Sequence, residues 1–397
     1  MRILVLSFYY EPDLCPGSFR NSSLVKSLSR KLGRDDSIDV ISIMPGRYAS
    51  FTLPTRQHER NGNVNIRRVP LVAYFGGFSG QVRQFLRYAW VVFKETRGES
   101  YDLVYASSSR LMTAVLGGGV ARLGRFPLYI DIRDIFTESL RDVFPRSPVR
   151  LFLPLFRMLE RWVLHTASRI NLVSPAFESY FIQVNPGRKY RHFTNGVDLD
   201  VVQTNGDRQP LSLGSKEILY AGNIGEGQGL HEIIPNIARV LPQNWRITII
   251  GDGVCRNRLE QCLVGLDNVS LEKPVPRSEL SRRYSRATIL FLHLNRHAAF
   301  RRVIPSKLFE YAATGKPILA GVQGYPSEFI ERNVDNAEVF TPGDESDCLR
   351  AFYALHIKHT PRESFCREYS RSRISDRMAD DLIDLASCGH QGLAQEI

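Results

Sequence analysis

Lys307 and Glu310 stand three residues apart in "VIPSKLFEYAATGKPILAG" (303–321), where a proline ahead and Gly-Lys-Pro behind predict a short helix. Positions three or four apart share a helix face. Two chemistries fit that spacing. One is an exposed ion pair worth about 0.2–0.5 kcal/mol. The other is a grip on one charged ligand at two points. Ser306 would cap the helix and put Lys307 in its first turn, where free N–H donors and the positive dipole end favour a diphosphate. A helical turn rises about 5.4 Å, similar to the length from a nucleotide's pyrophosphate to its ribose. Glu310 could then accept hydrogen bonds from both ribose hydroxyls. Spacing alone leaves both readings open.

Further candidates sit at turns after apolar runs. "YAGNIGEGQGL" (220–230), with Gly222, Asn223 and Gly225, and "GDG" (251–253), with Gly251 and Gly253, each follow a run that reads as a strand. Bare backbone N–H groups there attract anions, although such turns also merely join strands to helices. Neither is a Walker P-loop, and "MRILVLSFYYEP" carries no dinucleotide fingerprint, which removes most of the support for NAD chemistry. In the first half, "YEPDLCPGSFRNSSL" (10–24) places Gly17, Ser18 and Arg20 at a helix start. "YIDIRDIFTES" (129–139) ends a buried-looking strand with Asp131, Arg133 and Asp134, and Glu138 follows as a weaker candidate. Ligands of α/β sheets sit at such strand ends. Unpaired buried charge is costly. These residues therefore form either an internal Asp–Arg pair or a site in which Asp131 or Asp134 orients an acceptor hydroxyl or a donor sugar. No His/Asp cluster has metal-ligand spacing, and His58 and His165 read as surface or core residues.

The elements that must position these residues repeat one pattern. Strands are predicted at 2–8, 39–44, 64–70, 102–107, 127–132 and 169–174, with helices at 18–32, 81–97, 109–124 and 149–166. A polar, turn-rich stretch, 198–217, reads as a linker. The pattern then restarts with strands at 218–224, 246–253, 268–275, 288–294 and 317–322 and a helix near 229–241. Alternating strands and helices predict an α/β chain of two Rossmann-like lobes with a cleft between them. The first lobe spans 1–200 and the second 201–371. An amphipathic last helix, about 362–386, is a candidate to cross back, so that about 372–397 joins the first lobe. The length of 397 residues suits two domains, and 43% hydrophobic with 23% charged residues is globular composition.

"PSKLFEYAATGKPILA", "YAGNIGEGQGL", "IIGDG" and "TNGVD" (194–198), in this order over nearly the whole chain, resemble the retaining glycosyltransferase family 4 of GT-B fold. "YIDIRDIFTES" makes the likeness closer to bacterial members that build O-antigen or capsule units, such as the N-acetylfucosamine transferases. The resemblance implies that Glu310 holds the ribose. Lys307, Ser306 and the Gly222–Asn223–Gly225 turn would hold the diphosphate, with Gly251 and Gly253 near the base. Gly17 and Ser18 would face the donor phosphates. Asp131, Arg133, Asp134 and Lys307 become the catalytic candidates. It also implies front-side attack stabilised electrostatically at the departing phosphate, with no metal or other cofactor. The chain departs from the family in two respects. Arg302 stands where most members carry a second glutamate, and Asn223 and Gln228 replace an Arg and a Lys. Phosphate neutralisation then falls more heavily on Lys307, and Arg302 is a candidate to meet a charged or N-acetylated sugar.

A net charge of +11 asks for acidic partners. Arg83, Arg87, Lys94 and Arg97 share a helix face near Phe85, Leu86, Trp90 and Phe93, and Arg150, Arg157 and Arg161 stand among Leu151, Phe152, Leu155, Phe156 and Trp162. These are either solvated lobe helices or basic amphipathic surfaces for an anionic membrane. The second reading suits a polyprenyl-diphosphate-linked acceptor. No zinc-finger spacing, RNA-binding signature or basic tail is present, which argues against nucleic acid. Six scattered cysteines, no C-x-x-C, no signal peptide and no membrane-spanning run suggest a cytoplasmic protein held peripherally at the inner face of the plasma membrane. The expected activity is transfer of a hexose derivative, N-acetylated by preference, from an NDP-sugar, UDP by preference. The alternatives are a GT-B nucleotide-sugar epimerase and a non-catalytic nucleotide-sugar-binding protein.

Overall fold

A computed structural model describes residues 1–46, 55–71, 78–108, 110–143, 148–199 and 216–393. The chain divides into two compact units, one made of Met1–Thr194 with Ser372–Ile397, the other of Asn195–Arg371. Most of the linker expected at 198–217 lies outside the described residues.

The first unit is built on a seven-stranded sheet in the order β3-β4-β2-β1-β5-β6-β7. Its strands are β1 (Arg2–Leu6), β2 (Ser37–Ile43), β3 (His58–Asn61), β4 (Val64–Val69), β5 (Leu103–Ser108), β6 (Leu128–Ile132) and β7 (Arg169–Leu172). All neighbours pair parallel except β3 with β4. β5 and β6 are buried along their whole length, as strands covered by helices on both faces must be. β3, "HERN", is a polar edge strand with no apolar alternation, which is why sequence periodicity passes over it. Helices Pro16–Lys31, Phe78–Thr96, Leu111–Gly124 and Leu153–Thr166 connect the strands. The last of these is shorter than 149–166: Pro148–Phe152 is a 3₁₀ turn, and Pro154 fixes the start of the α-helix. Short helices at Phe136–Val143 and Glu178–Val184 were not predicted.

The C-terminal stretch expected as one helix is two, Glu363–Glu368 and Arg371–Leu393. At the break the backbone turns to other partners. Val197 N–H donates to the Tyr369 carbonyl, and Arg371 N–H to that of Val197. The long second helix then buries Met378, Ala379, Leu382 and Ala386 in one core with Ile3, Val5 and Leu24. Its acids Asp376, Asp380 and Asp381 pair with Arg30, Lys31 and Arg169.

The second unit carries a six-stranded sheet in the order β10-β9-β8-β11-β12-β13. The strands are β8 (Lys216–Asn223), β9 (Trp245–Asp252), β10 (Val269–Glu272), β11 (Ile289–His293), β12 (Ile318–Gly321) and the unpredicted β13 (Ala337–Phe340), all parallel. β8 pairs with β9 as far as Asn223↔Asp252. With β11 it pairs only at Ile218 and Leu219. The order reverses between β8 and β11, so their carboxyl ends part at a topological switch point, the place where open α/β sheets bind ligands.

Candidate functional site

The helix Ser306–Ala313 lies at that switch point. Its apolar face, Leu308, Phe309 and Ala312, is fully buried, and the Tyr311 hydroxyl accepts the N–H of Ala221, which β11 no longer pairs, at 3.1 Å. Pro305 occupies the cap position and no side chain caps the helix. Ser306 is therefore its first residue and not the expected cap. The Leu308 N–H turns back to the Pro305 carbonyl at 3.0 Å, which leaves the N–H groups of Ser306 and Lys307 at this end for a ligand.

Lys307 reaches from this end to the tip of β8. Its ammonium lies 4.8 Å from the centroid of the Tyr220 ring. At Gly222, with φ +146°, a Cβ would stand 1.6 Å from Lys307 Nζ. The backbone conformation favours glycine there, and any side chain would push the end of Lys307 aside. Burial pulls the pKa of Lys307 down to about 8, and Glu310 only partly counteracts it. Among the described residues Lys307 makes no ion pair. A desolvated cation without a carboxylate partner is poised for an external anion.

Glu310 sits one turn on, partly exposed. Arg277 Nη2 approaches Oε1 at 3.6 Å, and the Tyr284 hydroxyl donates to Oε2 at 3.4 Å. Both contacts are long, so each oxygen keeps capacity to accept from a ligand hydroxyl. The same Arg277 nitrogen is 2.6 Å from Asp198, which also accepts from Arg371 Nε at 2.8 Å. Tyr220, Arg277 and Tyr284 belong to the site but had no sequence signal, since nothing in their spacing connects them to the 306–313 helix.

The first glycine turn is internally bonded. Asn223 Nδ2 and the Gly225 N–H donate to Gln228 Oε1 at 2.7 and 3.2 Å. The buried ring of His293 donates from Nδ1 to the Gln228 carbonyl at 2.6 Å and accepts the Gly343 N–H on Nε2 at 3.0 Å. Burial lowers the His293 pKa to about 4, so the ring is neutral and its tautomer follows from these two bonds. The second glycine turn packs beneath the first: a Cβ on Gly251 would lie 1.8 Å from the Gly222 carbonyl oxygen, and one on Gly253 would lie 2.4 Å from that of Ile224. Arg302 ends the single turn Ala298–Arg302 just ahead of Ser306.

In the first unit, Gly17 and Ser18 lie in the first turn of Pro16–Lys31. Ser18 is inside the helix rather than capping it, and its hydroxyl is buried without a partner. A Cβ on Gly17 would stand 2.7 Å from Arg133 Nη1. Among the described residues the buried Arg133 Nε and Nη1 have no hydrogen-bond partner, and burial lowers the Arg133 pKa against the pull of Asp131. Gly17 and Arg133 are thus neighbours, and Ser18 is the next residue of the same helical turn.

Asp131 stands in the internal Asp–Arg pair that was one of its two readings from sequence. It is 0% exposed. Arg20 grips it through two bonds of 2.7 and 3.0 Å, Asn171 Nδ2 donates at 2.7 Å and the Tyr105 hydroxyl at 3.1 Å. Burial opposes its ionisation, but Arg20 more than offsets this and holds its pKa below the ordinary range. Its acceptor capacity is consumed, and the internal Asp–Arg pair describes it. Arg20 in turn donates to the carbonyls of Phe193 and Thr194. Asp134 accepts from Ser139 Oγ at 3.0 and 3.1 Å, and burial raises its pKa. Near it, on a small cavity, Glu160 accepts from the Tyr180 hydroxyl at 2.6 Å and is pushed by burial up to about 7.

Two helices of this unit expose apolar side chains. Leu86 and Trp90 on Phe78–Thr96 are 62% and 64% exposed, and Leu151 before Leu153–Thr166 is 82% exposed. Phe93 packs against Gly119 and Trp162 against Gly118, so both helices flank Leu111–Gly124. Arg83, Arg87, Lys94, Arg157 and Arg161 are exposed beside these side chains. No helix among the described residues is long and apolar enough to cross a membrane.

Residues 25–196 match a family model described as "Glycosyl transferase 4-like domain", and residues 215–356 match one described as "Glycosyl transferases group 1". No curated protein sequence matches the chain. Among solved structures, sucrose-phosphate synthase from Thermosynechococcus elongatus superimposes with TM-score 0.70 at 14% identity, covering 99% of this chain and 98% of the other. HepE from Anabaena, solved with UDP-glucose, has TM-score 0.62 at 18% identity and 100% coverage of both chains. WaaG, a glycosyltransferase involved in lipopolysaccharide biosynthesis, has TM-score 0.61 at 14% identity, covering 99% and 98%. These likenesses carry the fold. The two domain matches fall one in each unit, and with that architecture they make the chain a member of the GT4-type glycosyltransferases of GT-B fold.

Proposed function

We propose that this glycosyltransferase moves an N-acetylated hexose derivative from a UDP-sugar to a polyprenyl-diphosphate-linked acceptor, with retention of configuration, in synthesis of an O-antigen or capsule. The observation that carries the nucleotide reading is Lys307, a partly buried cation without a carboxylate partner, pressed against Gly222 at the switch point with Glu310 one turn further on. The diphosphate meets Lys307 and the uncapped helix start, and the ribose hydroxyls meet Glu310. HepE, a neighbour in fold, binds UDP-glucose, which supports UDP as the nucleotide.

In the reaction the bond from C1 to the diphosphate oxygen breaks while the acceptor oxygen bonds C1 on the same face. The acceptor proton passes to the departing diphosphate. Positive charge opposite that leaving group comes from Lys307 and the helix dipole, without a metal in this reading. We assign Arg133, Gly17 and Ser18 to anion binding in the first unit and Asp134 to the acceptor side. Arg302 is assigned to the donor sugar. The exposed Leu86, Trp90 and Leu151 beside Arg87 and Arg157 support docking on an anionic inner-membrane surface.

Glu310→Ala should weaken UDP binding by about 1.5–3 kcal/mol, and unchanged affinity in calorimetry refutes the ribose assignment. Turnover of UDP-sugar only when lipid-linked acceptor is present separates a transferase from an epimerase, which needs no second substrate, and from a sensor, which turns nothing over. Replacing Arg83, Arg87, Arg150 and Arg157 by glutamine should release the protein from anionic vesicles on sedimentation.

A further inference from the structure

Two donors of the first glycine turn converge on a single oxygen, Gln228 Oε1: the Asn223 carboxamide at 2.7 Å and the Gly225 N–H at 3.2 Å. A small acceptor held by a backbone N–H and a side-chain amide is the geometry of an oxyanion site. Here the chain's own carboxamide oxygen stands where a phosphate oxygen would. The site adjoins Gly222, against which the Lys307 ammonium is pressed. A diphosphate drawn to Lys307 therefore meets a turn whose two best donors are already taken.

The rest of the turn is fastened from outside. His293 holds the Gln228 carbonyl at 2.6 Å. Asn295 donates its N–H to Gly227 O at 2.8 Å and its Nδ2 to Glu226 O at 3.2 Å. The Tyr220 hydroxyl donates to Asn223 O at 2.6 Å. The His293 ring itself is 1% exposed and packs in a three-ring cluster with Phe291 and Phe340. The backbone of the turn is thus fixed from three sides, whereas the Gln228 side chain is partly exposed and, among the described residues, bonded within the turn. It can rotate to solvent without the turn rearranging.

We propose that Gln228 is a displaceable internal ligand: its side-chain oxygen fills a two-donor oxyanion site, formed by Asn223 Nδ2 and the Gly225 N–H, until the diphosphate of the nucleotide replaces it. Gln228 then competes with the donor and weakens its binding, while Asn223 binds the phosphate. The assignment rests on the nucleotide reading of Lys307 and Glu310 and adds to it a self-occupied subsite. His293 acts through Gln228 as a positioning residue.

The test is titration calorimetry with UDP at pH 7 on the wild type, Gln228→Ala, Gln228→Leu and Asn223→Ala. Removing the competitor should tighten UDP about threefold to tenfold, the factor one net hydrogen bond to a neutral group is worth. Asn223→Ala should weaken UDP by a similar factor, and the gain from Gln228→Ala should shrink in the Asn223→Ala background. Gln228→Leu keeps the side-chain volume and decides the matter should the alanine variant fold poorly. Wild-type binding with Gln228 variants equal to or weaker than wild type overturns the place-holder while leaving the nucleotide reading intact. Absence of UDP binding to every variant at millimolar concentration overturns both.

Discussion

Binding of a diphosphate should carry a proton into the protein at mildly alkaline pH, and Lys307 sets how much. In the free protein its pKa is about 8, held down by burial. A phosphate beside the ammonium favours the charged form, so Lys307 is fully protonated in the complex. The uptake on binding equals the fraction neutral beforehand: about 0.1 proton at pH 7, 0.5 at pH 8 and 0.9 at pH 9. Because only the protonated form binds well, the UDP dissociation constant should rise about tenfold from pH 7 to pH 9. The phosphate's own second ionisation, near pH 6, is complete above pH 8 and adds nothing there. Calorimetry in two non-phosphate buffers of different ionisation enthalpy, at pH 8 and pH 9, reads the uptake as the slope of observed enthalpy against buffer enthalpy. A zero slope at both values refutes the assignment. The sign of the stability effect is opposite: the unfolded chain, with a lysine near 10.5, holds more protons than the folded one between pH 8 and 10.5, so the free protein gains stability as pH rises through that window. Lys307→Met should accordingly raise the Tm of the free protein at pH 7 while abolishing proton uptake.

Gly222→Ala should cost at least about tenfold in UDP affinity, because a methyl 1.6 Å from Lys307 Nζ displaces the ammonium; wild-type affinity by calorimetry would count against the placement. Asp131→Ala strands the buried Arg20 and should destabilise by about 3–5 kcal/mol, read as a lowered Tm in scanning calorimetry, with an unchanged Tm sinking the internal-pair reading. Glu160, raised to about 7 from 4.5, lends stability below pH 4.5 that is lost as pH climbs through 7. Glu160→Gln should therefore flatten the Tm–pH curve between pH 4.5 and 7 and melt higher than wild type at pH 8.

The two sheets were legible because buried parallel strands write themselves as continuous apolar runs: "RILVL", "LVYASS" and "ILFLH" need no partner to be recognised. The helix at 306–313 was legible from its flanking proline and glycine. What sequence does not carry is contact across distance. β3 is four polar residues whose strand character comes from pairing with β4. The helix predicted over 362–386 breaks because Val197, far back in the chain, takes the backbone bonds at Tyr369 and Arg371. Ser306 looked like a cap, but Pro305, its φ already fixed, holds that position.

The same distinction separates Asp131 from Lys307, two charges that both stand near the carboxyl ends of strands and that the sequence alone ranks alike. Asp131 finds its counter-charge 111 residues away in Arg20 and two further donors in Tyr105 and Asn171, so the cost of its burial is met within the first unit. Among the described residues Lys307 has an aromatic face and a turn-mate on its own helix but no ion pair, and burial depresses its pKa. Arg133, with two buried nitrogens unpartnered against Gly17, is the first unit's counterpart of Lys307. A charge that folding has desolvated and left without a counter-charge favours a ligand that supplies one, and Lys307 and Arg133 are two such cations, each beside a glycine on which a Cβ would meet it. Under the proposed function, that chemistry, internal to each unit, favours an anionic ligand. The proposed ribose contact rests on the same contrast: Glu310 is loosely held and its oxygens keep room for hydroxyls, whereas Asp131 is tightly held.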